Sequence, residues 1–156
     1  MKQMQYIQHM NVYAENLITY FTNIKKADIP KVIQHINDNL SALGFSANGR
    51  FIFTFKENSS SDEIQSAEIL IPVKGEIKPS ENYGKKPIFR LVNAVMTRHE
   101  GSISDISRTE TALKDYIQKN NYEPITNVYY VVVRNGDPLG SDCIFEVYIG
   151  VNYNSL

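Results

Sequence analysis

Residues 144–151 have the sequence IFEVYIGV. Successive side chains of a β-strand point to opposite faces, so the apolar side chains fall on one face and Glu146 and Tyr148 fall on the other. An earlier stretch, residues 67–73 with the sequence AEILIPV, places Glu68 ahead of a similar β-branched pattern. Two matching strands, each with a glutamate at the same place, indicate a duplicated domain.

Working outward from these strands, each half of the chain reads as strand, helix, strand, strand. In the first half we predict a lead-in strand over 4–12, strands over 17–24, 50–55 and 65–73, and a helix between Asp28 and Gly44. In the second half we predict strands over 91–99, 127–133 and 144–151 and a helix that ends at Asn120–Asn121. The helical spacing of apolar residues gives one buried face to each helix: Ile29, Val32, Ile33, Ile36, Leu40 and Leu43 in the first, and Ile106, Thr109, Leu113 and Ile117 in the second.

The two halves align at a nearly constant offset. Ile29 aligns with Ile106 and Leu40 with Ile117, while Glu68 and Glu146 align after one inserted residue. We therefore predict a single α+β domain over 1–156. It would consist of a first repeat over 1–75, a linker over 76–88 that is rich in glycine, proline and charge, and a second repeat over 89–156. The predicted architecture is pseudo-twofold, with a mostly antiparallel sheet and both helices on one face.

The composition bounds the function. The 156 residues carry a formal net charge of −1 and are 42% hydrophobic, so no basic excess supports nucleic-acid binding. No apolar run reaches the length of a membrane span, and the first residues lack the apolar core of a signal peptide. One cysteine, Cys143, excludes an intrachain disulfide. We expect a cytoplasmic protein that binds no membrane and needs no cofactor.

The second half resembles the gyrase-inhibitor-like effector-binding domain, which also forms the C-terminal sensor of multidrug-responsive transcription activators. The residues that carry the resemblance are RHEGS at 98–102, Leu113 and Tyr116–Ile117 in the helix, NNYEP at 120–124, Tyr129, and FEV at 145–147. The resemblance implies a duplicated fold with an aromatic groove between the halves and an acidic residue at its floor that receives lipophilic cations. Glu146 matches that acid. No DNA-binding helix pair precedes the domain in this sequence, so we do not expect the activator role.

Strand alternation selects the side chains that face away from the helices. These are Glu146, Tyr148, Tyr129, Val131, Glu68 and Leu70, and we predict that they contact the ligand. A carboxylate among tyrosines suits a delocalised cation through charge pairing and cation–π contact. The alternative is a solvated open face, as antiparallel sheets commonly have.

Three classes of function follow. The first is a stand-alone domain that binds a small apolar or cationic ligand without catalysis. The second is an interaction or inhibitor module that uses the same face to contact another protein. The third, less favoured, is a hydrolase of strained electrophiles in which Glu146 acts with Tyr129 or Tyr148. The sequence does not predict an oligomeric state.

Several other polar residues give no functional signal. We expect Glu110 to lie at the rim of the second helix face, and Lys25 and Lys26 to lie in a solvated turn. His99 is expected to make local hydrogen bonds beside a turn. His9 and His35 are expected to be exposed, with no metal-ligand spacing to any partner.

Overall fold

A computed structural model describes residues 4–56, 63–137 and 139–153. The predicted polar loop at 56–62 lies outside these residues except for Lys56. The described parts contain seven strands and two α-helices. In chain order they are β1 (Tyr6–Ile24), α1 (Ile29–Asn39), β2 (Ser46–Ala47), β3 (Ile52–Phe55), β4 (Gln65–Lys74), β5 (Gly84–Gly101), α2 (Ile106–Lys119), β6 (Glu123–Arg134) and β7 (Cys143–Asn152).

All strand pairings are antiparallel, and the strand order is β1-β5-β7-β6-β3-β4-β2. β1 also pairs with β4, so six of the strands form a closed ring of hydrogen-bonded neighbours. Both helices pack against the same face of this sheet. The α+β fold with a mostly antiparallel sheet and two helices is therefore confirmed. Apart from the two-residue β2, the element order repeats strand, helix, strand, strand, but duplication stays a prediction.

β1 corrects one predicted feature of the first half. The lead-in strand and the strand over 17–24 are a single strand of 19 residues. Two of its residues have left-handed backbone, His9 (φ 57°) and Asn16 (φ 54°), and asparagine tolerates that conformation better than most residues. The Asn16 side chain also donates hydrogen bonds to the carbonyl oxygens of Val73 (2.8 Å) and Gly75 (2.9 Å). β1 pairs with β5 over Tyr6–Thr19 along one edge and with β4 over Leu17–Ile24 along the other.

The main core lies between the sheet and the helices. Ile29, Ile33 and Leu40 from the α1 region are buried, as predicted. All four predicted face residues of α2 are also buried. Leu43 is the exception, because a 3-10 turn at Ser41–Leu43 follows α1 and leaves its side chain 53% exposed. Phe51, Phe53 and Phe55 complete the core from the sheet, as strand alternation indicated.

The helix ends follow the predicted signals in position. Asp28 precedes the first residue of α1, although its side chain makes no capping hydrogen bond. Gly44 (φ 85°) and Asn121 (φ 58°) take the left-handed conformation after the two helical segments. β5 starts at Gly84, inside the predicted linker, and so is longer than its apolar pattern indicated.

We expect Leu40→Ala and Ile117→Ala each to lower the free energy of unfolding by roughly 2–5 kcal/mol, because both remove a buried side chain from the helix–sheet core. Leu43→Ala is the matched control and should cost much less, since Leu43 is exposed. Urea unfolding of the three variants measures the difference. Equal losses for Leu43 and Leu40 would contradict this assignment of the core.

Candidate ligand-binding face

The face of the sheet opposite the helices is here called the helix-free face. It carries a second apolar cluster, composed of Leu17, Ile52, Leu70, Phe89, Leu91, Ala94, Met96, Val131 and Tyr148, with Tyr129 packed against it. Neighbouring strands align these side chains in rows. One row crosses β4, β3, β6 and β7 and consists of Glu68, Thr54, Tyr129 and Tyr148. Leu70, Ile52, Val131 and Glu146 form the adjacent row.

All six residues predicted from strand alternation therefore lie on one face, but the structure divides them into three groups. Leu70, Val131 and Tyr148 are buried within the apolar cluster, at 0%, 6% and 4% exposure. Tyr129 is half-buried, and its ring contacts Phe89 edge-on at 5.1 Å between centroids. The middle of the face is thus filled with side chains, and Glu68 and Glu146 line separate depressions on either side of it.

Glu146 lines a depression of about 490 Å³, together with Tyr13, Arg50, Val131 and Tyr148. Its carboxylate is already paired. The Arg50 guanidinium lies 3.3 Å from Glu146 Oε1, and the Tyr148 hydroxyl donates a hydrogen bond to the same oxygen at 3.1 Å. Burial raises the pKa of Tyr148 well above its ordinary value, and the Glu146 charge and this hydrogen bond raise it further. Tyr148 therefore stays protonated and remains a hydrogen-bond donor at neutral pH.

Glu68 lines the second depression, of about 400 Å³, which we call the Glu68 pocket. Phe21 and Tyr129 give it two aromatic walls, and its polar lining includes Thr54 and Asn127. Within the described residues, Glu68 makes no hydrogen bond or ion pair. Burial raises the pKa of Tyr129, and the Glu68 charge raises it further. Lys56 also lines the pocket from the end of β3.

The two carboxylates do not share a site. β3 and β6 separate the strands that carry them, which corresponds to about 14 Å across the sheet at the usual strand spacing. Rows of buried side chains fill the space between them. A single small ligand on this face therefore meets one carboxylate or the other.

On the opposite side of the sheet, Lys26 and Glu110 form a buried ion pair that the sequence analysis missed. Both side chains are about 95% or more buried, and Lys26 Nζ donates to Glu110 Oε1 (3.1 Å) and Oε2 (3.0 Å). The Tyr130 hydroxyl also donates to Glu110 Oε1. The predictions of a rim position for Glu110 and a solvated position for Lys26 were wrong. The available signal was the place of Glu110 in the apolar stripe of α2, between Ile106 and Leu113.

His99 is buried in β5, and its local hydrogen bonds agree with the prediction. Its Nε2–H donates to the Ser102 carbonyl (2.8 Å), and Nδ1 is hydrogen-bonded to the Thr109 hydroxyl (2.7 Å). Both ring nitrogens are used in holding the start of α2 against β5. We therefore assign His99 a structural role in attaching α2 to β5.

Two kinds of site are not found. No group of three or more His, Cys, Asp or Glu side chains in the described parts of the chain is placed to hold a metal ion. Within residues 4–56, 63–137 and 139–153, no helix is long and apolar enough to cross a membrane.

The fold is that of the effector-binding domains to which the second half bears a resemblance. The structure is similar to the crystal structure of the EcmrR C-terminal domain, with a TM-score of 0.67 and 13% identity over 97% of this chain and 99% of that chain. It is also similar to EcmrR in a complex with DNA, with a TM-score of 0.66 and 14% identity. There the alignment covers 96% of this chain but only 57% of the EcmrR chain.

A third similar structure is described as a hydrolase from Listeria innocua, with a TM-score of 0.55 and 10% identity over 96% of this chain and 92% of that chain. No family model and no curated protein matches the sequence. At these sequence identities the structural similarity establishes a shared fold, whereas function depends on the side chains of the individual site.

We expect Lys26→Met to lower the free energy of unfolding by roughly 3–5 kcal/mol, because it leaves the Glu110 carboxylate buried without a cation. The double variant Lys26→Met/Glu110→Gln should be more stable than Lys26→Met alone, since the introduced amide is neutral and can still accept from Tyr130. Chemical denaturation of the wild type, the Lys26→Met and Glu110→Gln single variants and the double variant tests this. Additive losses in the double variant would show that the two side chains are not coupled.

Proposed function

We propose that this domain binds a small lipophilic cation in the Glu68 pocket. The observation that supports this is a partly exposed carboxylate beside two aromatic rings, with no hydrogen bond or ion pair to the described residues. Phe21 strengthens the proposal because its ring is 68% exposed at the pocket wall. The Phe21 ring can contact the apolar part of a ligand while the Glu68 carboxylate pairs with its positive charge.

The physical chemistry of the pocket selects the class of ligand. An aromatic face attracts a cation by about 0.5–2 kcal/mol, depending on how far the cation is desolvated. The Glu68 carboxylate adds charge pairing at close range. A delocalised or quaternary cation is weakly hydrated, so it loses little on leaving water for this lining. Lys56 at the pocket edge is exposed and can turn towards solvent when a cation binds.

Glu146, the acid matched by the family resemblance, is less suited to this task in the present structure. A cation there has to compete with Arg50 and leaves the Tyr148 hydrogen bond to be rearranged. The pairing with Arg50 is partly solvated, with the Arg50 side chain 55% exposed, and such pairs contribute little to stability. In the proposal, Leu70, Val131 and Tyr148 form the packed layer beside the pocket, and Tyr129 forms its wall.

Tetraphenylphosphonium is a suitable probe, and tetraphenylborate is its control of the same shape and opposite charge. We expect saturable binding of the cation to the wild-type protein. Glu68→Gln keeps the shape and removes the charge, so it should weaken binding by about 1.5–3 kcal/mol, the scale of a hydrogen bond to a charged group. Isothermal titration calorimetry measures both affinities.

Glu146→Gln is the matched control variant and should bind tetraphenylphosphonium like the wild type. Thermal melting should show little change in stability for Glu68→Gln, because no described residue loses a hydrogen bond. Weakened binding in Glu146→Gln, with Glu68→Gln unaffected, would move the site to Glu146. Equal binding of tetraphenylborate, or no binding of either ion, would reject the cation site.

Hydrolysis is a second candidate function, and the Glu146–Tyr148 pair is the observation that favours it. A carboxylate and a protonated tyrosine hydroxyl lie 3.1 Å apart beside a depression of about 490 Å³. Such a pair can activate water and donate a hydrogen bond to a leaving oxygen, as in the opening of an epoxide. The structurally similar protein from Listeria innocua is named a hydrolase, which supports testing this chemistry here.

Turnover distinguishes this candidate from binding. If the protein is a hydrolase, styrene oxide should be converted to its diol with many turnovers per protein molecule. Glu146→Gln should then abolish conversion, whereas Glu68→Gln should not. Chromatography of the product over time measures this, and an absence of diol above the uncatalysed rate would exclude epoxide hydrolysis.

A further inference from the structure

A third cavity lies on the helix side of the sheet, between α2, β6 and the end of β3. Its volume is about 330 Å³, within the range of small-molecule sites. Three lysines line it, Lys26, Lys56 and Lys114, and we call it the lysine cavity. Its apolar lining comes from Phe55, Pro124, Val128 and Ile149.

Lys26 brings a buried ammonium group to this cavity. The residue is only 2% exposed, and both hydrogen bonds of its Nζ go to the Glu110 carboxylate. An ammonium group has three N–H donors, and these two bonds use two of them. Nζ also lies 5.6 Å from the centroid of the Phe55 ring, which lines the cavity. An oxygen in the cavity would be a stronger partner for the third N–H than the face of this ring.

Lys114 lies on the exposed flank of the same cavity, on α2. It is half-buried and makes no hydrogen bond or ion pair with the described residues. Burial lowers its pKa, the nearby Lys26 charge lowers it further, and the Glu110 charge partly opposes both. An anion beside Lys114 would offset the cost of holding this ammonium partly out of water.

The charges around the cavity favour an anion. None of the described residues that line it is a carboxylate. Glu110 lies beyond Lys26, and both its oxygens accept from Lys26, with Tyr130 donating to one of them. Lys56 and Lys114 form no ion pair with the described residues. The apolar lining disfavours a fully hydrated inorganic ion and favours an organic body behind the charge.

We propose that the lysine cavity binds a small organic carboxylate, with the carboxylate oxygens between Lys26 and Lys114 and an aromatic or aliphatic body against Phe55, Val128 and Ile149. The site is distinct from the Glu68 pocket and selects the opposite charge. Lys56 and Asn127 line both cavities, so the two sites meet at the end of β3.

Benzoate is the probe, benzamide is its neutral counterpart of nearly the same shape, and inorganic phosphate is the anion without an apolar body. We expect benzoate to bind saturably and both other compounds to bind at least tenfold more weakly. Lys114→Met should weaken benzoate binding about tenfold or more, the effect of losing a charged hydrogen bond. Lys119→Met is the matched control on the same helix, because Lys119 is exposed and does not line the cavity.

Isothermal titration calorimetry gives the affinities, and carbon-13 spectra of the lysine side chains locate the site through the shifts of Lys26 and Lys114. A second variant, Lys114→Gln, provides a polar substitute in case the methionine alters folding. Equal benzoate affinity in the Lys114 and Lys119 variants would overturn the proposal, as would no saturable binding. Phosphate binding as tightly as benzoate would overturn the organic class. Tetraphenylphosphonium binding should be unchanged in Lys114→Met, which separates this test from that of the Glu68 pocket.

Discussion

The double pairing of β1 is the constraint on which the rest of the structure depends. This one strand pairs with β5 along most of its length and with β4 along its second part, so the two halves of the chain form one closed sheet. His9 and Asn16 interrupt its extended backbone with left-handed φ angles, and the Asn16 side chain joins β1 to the end of β4. Closure removes most exposed strand edges, which limits association through unpaired backbone groups.

Closure also decides what the helix-free face can do. Because the strands converge around it, apolar side chains from β1, β3, β4, β5, β6 and β7 meet in its middle and leave space only towards its ends. Glu68 and Glu146, which the sequence alignment of the two halves predicts to be equivalent, have different surroundings. Arg50 and Tyr148 hold Glu146, while Glu68 lies beside Phe21 and Tyr129.

The two sides of the sheet also differ in the charged residues that they carry. On the helix side, Lys26 follows β1 and Glu110 lies on α2, so their buried pairing joins the first half of the chain to the second. Breaking such a pair is costly, although the pair itself contributes less than its Coulomb attraction, since both charges were taken from water. Once Glu110 is neutralised, the remaining lysines give the adjacent cavity a positive character. The Glu68 pocket, reached past the same end of β3, has one carboxylate, Glu68, with Lys56 at its edge.

The sequence by itself determined the local elements and the side of the sheet on which each side chain lies. Helical spacing placed Ile29, Leu113 and Ile117 in the core, and strand alternation placed Glu146 and Tyr148 opposite them, because both patterns depend only on backbone geometry. Tertiary structure decided the rest, since it depends on which strands pair and how closely they converge. It joined two predicted strands into β1, exposed Leu43 and buried Glu110 beside Lys26. It also brought Arg50 to Glu146, residues far apart in the chain whose contact no local pattern records.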